Sequence, residues 1–146
     1  MEAREAVQQM TLFRGADAAD LEAVAAIGEQ RAYGAGERLF DPIHPADALF
    51  AILIGTVEVK MEGQEIAIAT MGSGQSIGDI AFFIRGNYGG SAVTREPTRV
   101  LRLPFAGVDR LLIERPTLAT RFYRNAAYAF ATHVRGLAAE HGGPYL

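Results

Sequence analysis

The sequence predicts a mainly β domain with flanking helices, an α+β arrangement, on three observations. Short β-rich runs separated by Gly, Pro and Asp clusters fill residues 30–104, which favours a barrel or a sandwich. Helical periodicity precedes this stretch in residues 1–29 and follows it in residues 105–139. Apolar residues make up 49% of the chain and charged residues 21%, so residues 1–146 can bury the core of a single domain.

The N-terminal segment predicts an amphipathic helix that begins after Asp17 and ends at Gly28. The Asp17 side chain is suited to cap the first turn, and Asp20 adds negative charge near the helix start. Apolar residues then recur three and four positions apart and form one face, which comprises Leu21, Val24, Ala25 and Ile27.

The middle of the chain predicts short strands joined by turns. A glycine-rich turn precedes a strand at residues 38–40, and the two prolines of residues 41–45 indicate a loop, because proline cannot lie in a central strand. Residues 48–60 predict a strand that a bend or bulge interrupts at Gly55.

Two hairpins are expected in the second half of this stretch. A tight turn at residues 62–64 leads into a predicted strand at residues 65–71. Residues 91–95 and 99–103 predict a last hairpin, because a proline-containing turn separates them.

The C-terminal segment predicts a short amphipathic helix that ends near Pro116 and a long final helix over about residues 117–139. The final helix either packs on the β domain or pairs with the same helix of a second copy. Gly142-Gly143-Pro144 is expected to end it. Its apolar row consists of Leu118, Phe122, Ala126, Phe130, Val134 and Leu137.

The composition excludes several kinds of protein. Without cysteine, the chain has no disulfide, no Cys-ligated zinc and no thiol catalysis, and its net charge of −3 disfavours nucleic acid as a partner. No apolar run is long enough for a membrane span or a signal peptide, so we expect a cytoplasmic location without membrane insertion. The three scattered histidines favour no metal site, and no serine motif supports catalysis, so we expect no enzyme.

The most informative stretch is residues 74–83, here named the cassette. Two glycines bracket a loop, an acid follows the second glycine, and a short apolar turn follows the acid. Gly78 allows a close approach of the backbone to a ligand, and the first turn at residues 80–82 offers N–H groups to an anion. Asp79 can accept a hydrogen bond from a sugar hydroxyl. The cassette therefore predicts a cradle for a small anion.

Taken in order, these motifs resemble the cyclic-nucleotide-binding domain family of bacterial transcription regulators, nucleotide-dependent kinases and gated channels. The resemblance covers roughly residues 12–137. It rests on Leu12-Phe13, Gly34, Gly36, the strand at residues 50–59, the cassette and the helix after Pro116.

The resemblance implies an eight-stranded, jelly-roll-like β-roll (a double-stranded β-helix) with N-terminal helices and a long C-terminal helix. It also implies that cyclic AMP or cyclic GMP is the ligand, bound as an anionic nucleotide. The implied binding positions are Gly78, Asp79, Ile80, Ala81, Gly90, Ser91 and Ala92, and Arg85 is a further candidate binding residue from the loop between them.

The sequence departs from the family pattern at two of these positions. Asp79 stands where the family usually has the Glu that holds the ribose hydroxyl, and Gly90 stands where the family has the Arg that neutralises the phosphate. A charge-assisted hydrogen bond contributes roughly 1.5–3 kcal/mol, so the missing Arg predicts about ten- to a hundredfold weaker binding. Arg85 either replaces that cation or is a solvated loop residue. Asn87 and Tyr88 either contact a base or belong to a flexible loop.

Two functions follow from this resemblance. The first is a regulatory sensor module with weak or altered binding of cyclic nucleotides, whose final helix responds to the ligand. The second is a dimerisation or interaction module on the same fold, without a ligand. We expect a homodimer through the final helix, no DNA-binding domain, and attachment to a membrane or regulatory partner as a further possibility. A cupin-type metalloenzyme is disfavoured, because it needs clustered histidines.

Overall fold

A computed structural model describes residues 1–142 of the chain. Five α-helices flank or interrupt eight strands, and one turn of 3-10 helix follows the first helix. The helices are α1 (Ala3–Gln9), α2 (Ala18–Ile27), α3 (Asp79–Ile84), α4 (Phe105–Glu114) and α5 (Pro116–His141). The strands are β1 (Glu29–Tyr33), β2 (Arg38–Phe40), β3 (Ala48–Ile54), β4 (Val57–Met61), β5 (Ala69–Met71), β6 (Ser76–Ile77), β7 (Gly90–Thr94) and β8 (Thr98–Pro104).

The strands form two four-stranded antiparallel sheets, with the orders β1-β8-β3-β6 and β2-β7-β4-β5. The mainly β roll with flanking helices that the sequence predicts is confirmed. The last predicted hairpin is wrong, because β7 pairs with β2 and β4 whereas β8 pairs with β1 and β3. The turn at residues 95–97 carries the chain from one sheet to the other instead of reversing it within one sheet.

Local signals fixed several element ends. The Asp17 carboxylate accepts a hydrogen bond from the Asp20 N–H at 2.8 Å, which confirms the predicted cap of α2. Gly55 has a φ of +112° between β3 and β4, as a bend requires. The strand predicted at residues 65–71 is shorter than expected. Within residues 65–71, only Ala69–Met71 form a strand paired with β4, and Ile66 and Ile68 precede it with exposed side chains.

The core is divided between two sides of the β1-β8-β3-β6 sheet. One buried cluster lies inside the roll and includes Phe50, Ile52 and Val100. The other joins this sheet to the helices and includes Leu49, Leu101 and Phe122. The strand β3 is buried along almost its whole length because its alternate side chains enter both clusters.

The final helix packs on the domain mainly with its first half, although Phe130 packs against the core and Ala138 is buried in the second half. Leu118, Phe122 and Ala126 are buried, whereas Val134 and Leu137 are 36% and 45% exposed. The helix ends at His141 and Gly142 follows with a φ of +74°, while Gly143 and Pro144 lie outside the described residues.

Within residues 1–142, each helix is too short or too polar to cross a bilayer. The cytoplasmic location and the single-domain organisation stay predictions.

Candidate functional site

A cavity of about 460 Å³ lies between the cassette, the β4-β5 hairpin and the final helix. We call it the apolar cavity, because ten of its lining residues have apolar side chains and these come from every wall. The apolar members are Phe40, Val59, Met61, Ile68, Ala69, Met71, Ile77, Ile80, Ala81 and Phe130. The other lining residues are Lys60, Ser76, Gly78, Asp79, Tyr88, Gly90 and His133.

The cassette begins α3 at the wall of this cavity. Gly78 has a φ of +97°, and a Cβ atom there would meet the Ala48 carbonyl oxygen at 3.1 Å. The position therefore favours glycine both by backbone conformation and by space. Ile80 and Ala81 follow in the first turn, so the structure brings the four predicted residues 78–81 together at one wall.

The Asp79 carboxylate is held inside the site and does not extend into solvent. Ser76 Oγ donates hydrogen bonds to Asp79 Oδ1 and Oδ2 at 3.0 and 3.2 Å. Burial raises the pKa of Asp79, and the hydrogen bond from Ser76 opposes this shift. The remaining lone pairs of the carboxyl group can accept one further donor from the cavity.

Strand β7 approaches β4 too closely for a side chain at Gly90. A Cβ atom on Gly90 would lie 2.1 Å from the Lys60 carbonyl oxygen and 3.2 Å from the Met61 Cα. Gly90 lines the cavity, but Ser91 and Ala92 do not, because Ala92 is packed inside the roll core and Ser91 points to the opposite face. The position implied for the phosphate cation is therefore filled by backbone.

The structure places Arg85 outside the cavity. Its Nε donates to the Phe82 carbonyl oxygen at 2.6 Å, and its Nη2 donates to Asp109 Oδ1 at 2.7 Å. The guanidinium lies over the rings of Phe82 and Phe105, with centroid distances of 4.6 and 4.9 Å. This side chain fastens the end of α3 to α4 and does not face a ligand in the cavity.

Tyr88 is structural in this state and is not free to stack on a base. Its ring stacks on Phe40 at 3.8 Å, and its hydroxyl donates to the Ala48 carbonyl oxygen at 2.8 Å. Burial raises the pKa of Tyr88, while hydrogen bonds with the backbone of Ala48 and Asp47 oppose the shift. Asn87 forms an isolated β-bridge with Pro45.

Phe40 and Tyr88 also form a wall between the apolar cavity and a second concavity of about 360 Å³, here named the polar cleft. Two of the arginines that line the cleft, Arg31 and Arg102, form ion pairs with acidic neighbours. Arg102 Nη1 is 3.1 Å from Glu29 and its Nη2 is 2.8 Å from Asp47. The best-organised cations near the candidate site are thus on the other side of an aromatic wall.

Sequence reasoning assigned Phe130 to packing or dimerisation and weighed His133 only as a metal ligand. The structure places both on α5 at the cavity. Their spacing of three residues puts them on one helix face, and this is the signal that points to them. Residues 1–142 contain no group of three potential metal ligands.

A family model described as the cyclic nucleotide-binding domain matches residues 30–115, which include the cassette and all strands except the first residue of β1. The chain belongs to this family. Members of the cyclic nucleotide-binding domain family are regulatory domains, and the matched residues include the cassette beside the apolar cavity.

Solved structures share the fold of this cyclic nucleotide-binding domain. The N-terminal domain of a transcriptional regulator from Streptomyces coelicolor A3(2) is 21% identical, with a TM-score of 0.79 over 90% of this chain and 94% of that chain. The catabolite activator protein of Thermus thermophilus is 25% identical, with a TM-score of 0.75 over 89% of this chain and 61% of that chain.

A curated relative is similar to this chain over a small part of its own length. Glutaminase 2 of Bradyrhizobium diazoefficiens is 29% identical over 126 residues. The match covers 84% of this chain but only 19% of that protein. The chain thus spans about a fifth of the length of this relative.

Proposed function

We propose that this cyclic nucleotide-binding domain is a non-enzymatic regulatory sensor with weak or altered binding of cyclic AMP and cyclic GMP. The observation that carries the proposal is the apolar cavity, which the cassette walls on one side and Phe130 and His133 of the final helix wall on the other. A ligand in this position touches both the roll and the helix. It can therefore favour one position of the helix over another, as a two-state sensor requires.

We expect weak binding because the residues around the position of a nucleotide phosphate offer it no free cation. Gly90 supplies no cation and Arg85 is engaged by Asp109, so the phosphate loses its charged partner. Asp79 is one methylene shorter than the family's Glu and is already bonded to Ser76. The lost charge-assisted hydrogen bond alone accounts for a reduction of about ten- to a hundredfold.

An aromatic cluster supports transmission from the cassette to the helix. Phe82 packs edge-to-face on Phe122 at 5.3 Å, and Phe83 packs on Phe130 at 5.5 Å. A displacement of α3 by a ligand therefore displaces side chains that hold α5.

Isothermal titration calorimetry of the full chain with cyclic AMP and cyclic GMP tests the affinity. We expect dissociation constants weaker than about 100 μM, or no heat at millimolar nucleotide. A micromolar constant contradicts the weakened pocket. Hydrogen exchange of residues 116–141 with and without bound ligand tests the sensor role, and unchanged exchange at saturation contradicts it.

A second candidate, a dimerisation module, is favoured by the second half of α5. Val134 and Leu137 lie three residues apart on one helix face and are 36% and 45% exposed, although the first half of the helix is firmly packed. Exposed apolar residues along one helix suit a two-fold contact with a second copy. Dimerisation without any response of α5 to ligand would favour this function over the sensor.

A further inference from the structure

The apolar cavity differs in chemistry from a phosphate site. Apolar side chains dominate its walls, and the polar ones are engaged within the protein. Ser76 donates to Asp79, and the Tyr88 hydroxyl is bonded to Ala48. These polar groups contribute little to the capture of an anion, because their donors already have partners.

The two basic residues on the lining do not replace the missing arginine. Lys60 lies between Val59 and Met61 on β4, and Val59 packs against the core inside the roll. Strand alternation therefore directs the Lys60 side chain to the outer face, and its backbone carbonyl is what approaches Gly90. His133 lies on α5 at an exposed position and is therefore not a desolvated partner for a phosphate.

The rim of the cavity is also apolar. Met61, Ile68 and Ile80 line it with side chains that are 49%, 59% and 60% exposed. When an apolar ligand covers exposed apolar residues around a concavity, the burial stabilises the complex by about 25 cal/mol per Å² of apolar surface. The cavity volume of about 460 Å³ is in the range of small-molecule sites.

We propose that the apolar cavity binds a neutral, predominantly apolar small molecule that carries one hydrogen-bond donor directed at the Asp79 carboxyl group. This inference rests on the proposed function, because it names the ligand class of the same site. Asp79 lines the cavity beside Ile80 and Ala81 and retains free acceptor positions. A charged phosphate finds no desolvated cation there, whereas an apolar ring system finds contacts on every wall.

The neutral fluorophore N-phenyl-1-naphthylamine, which has a single N–H donor, is the probe for this site. We expect saturable binding at one site per chain with fluorescence enhancement, and no displacement by millimolar cyclic AMP. The variant Ala69→Trp should weaken binding at least tenfold, because residue 69 faces the cavity. Thr70→Trp, on the exposed face of the same strand, is the matched control and should leave the affinity unchanged.

Three outcomes of the probe experiment overturn the inference. The first is the absence of saturable probe binding, and the second is equal binding to both tryptophan variants, which indicates a non-specific surface. The third is a loss of probe binding at higher protein concentration, together with a rise in the sedimentation coefficient. This result would mean that the apolar rim is covered by a second copy of the chain.

The donor is tested by competition between 1-naphthol and 1-methoxynaphthalene. We expect 1-naphthol to compete about tenfold better, and the preference to disappear in Asp79→Ala. Equal competition in the wild type contradicts the role of Asp79.

Probe binding without a change in hydrogen exchange of residues 116–141 would contradict the sensor role alone. Micromolar cyclic AMP binding with a response of α5 would contradict the ligand class alone.

Discussion

Gly90 shows how one small residue determines what the candidate site can bind. Its Cα stands where β7 and β4 approach each other, with the Lys60 carbonyl oxygen in the space of a side chain. An arginine therefore cannot be restored here by substitution alone, because the carbonyl of β4 must move first. The loss of the phosphate cation is built into the backbone geometry as well as into the sequence.

We expect Gly90→Ala to lower the free energy of unfolding by roughly 1–3 kcal/mol, as overpacking does. Urea unfolding followed by circular dichroism measures this change. The matched control is Gly34→Ala, where the new Cβ meets only the end of the flexible Glu37 side chain at 3.4 Å. A control that destabilises as much as Gly90→Ala would contradict the steric explanation.

Asp79 makes stability depend on pH in a defined direction. Its pKa is raised in the folded state by burial, so the stabilisation is complete below the unfolded pKa of about 3.9 and is lost as the pH rises through the folded pKa. Asp79→Asn, which keeps an acceptor for Ser76, should be more stable than the wild type at pH 7. The difference should shrink as the pH falls.

Urea unfolding between pH 4 and pH 8 measures that difference. Glu65→Gln removes an exposed carboxylate and controls for the change in net charge. An advantage of Asp79→Asn that stays constant over this range would show that the burial of a charge is not its cause.

At this scale the sequence predicted part of the site. Gly78, Asp79, Ile80 and Ala81 meet at the cavity because they are contiguous in the cassette. Arg85 does not join them, since its environment depends on Asp109, which lies 24 residues further along the chain. The local sequence pattern does not show which distant residue a side chain will contact. It does show where a turn requires a glycine.

The element that connects the site to the rest of the molecule is α3. It has six residues, and Phe83 on it packs against Phe122 and Phe130 of α5 at 5.6 and 5.5 Å. An isolated helix of this length is unstable in water, so α3 is held by these contacts and by Arg85. A displacement of α3 therefore alters the side-chain contacts that hold α5.

We expect Phe83→Ala to release the second half of α5. Amide exchange of residues 126–141 should accelerate about tenfold, because aromatic pairs contribute about 0.5–1.5 kcal/mol each beyond their buried area. Exchange in β3 and β8 should remain slow. Ile84→Ala, at a 74% exposed position of the same helix, is the control. Equal acceleration in both variants would contradict a specific aromatic link.

Element types were more predictable from the sequence than element partners. The turn before Thr98 correctly separates β7 from β8, and the bend at Gly55 correctly separates β3 from β4. The pairing was wrong because a proline-containing turn shows that the chain changes direction, but not whether it returns to the same sheet. That the sheets face each other is seen only in the core cluster, where Ile52 of one sheet is buried with Val57 and Ala92 of the other.

For the whole molecule, the exposed side chains of Val134 and Leu137 on α5 predict self-association. Sedimentation equilibrium should show a dimer that Leu137→Glu weakens by at least tenfold, because a charge in an apolar contact must be desolvated. Tyr123, on the first half of the helix, offers the control Tyr123→Glu, which should have a smaller effect. A wild-type chain that stays monomeric at 100 μM would contradict the dimer.

The alternation of the chain between the two sheets has a consequence for how this domain comes apart. Within the described residues 1–142, six of the seven connections between successive strands cross from one sheet to the other, and only β4 and β5 are sequence neighbours that also pair. Because the chain alternates between the sheets, the strands of one sheet cannot separate in sequence without disrupting the other sheet. We therefore expect a single cooperative unfolding transition. Folding must close many long loops first, which predicts refolding in roughly milliseconds to seconds in stopped-flow measurements.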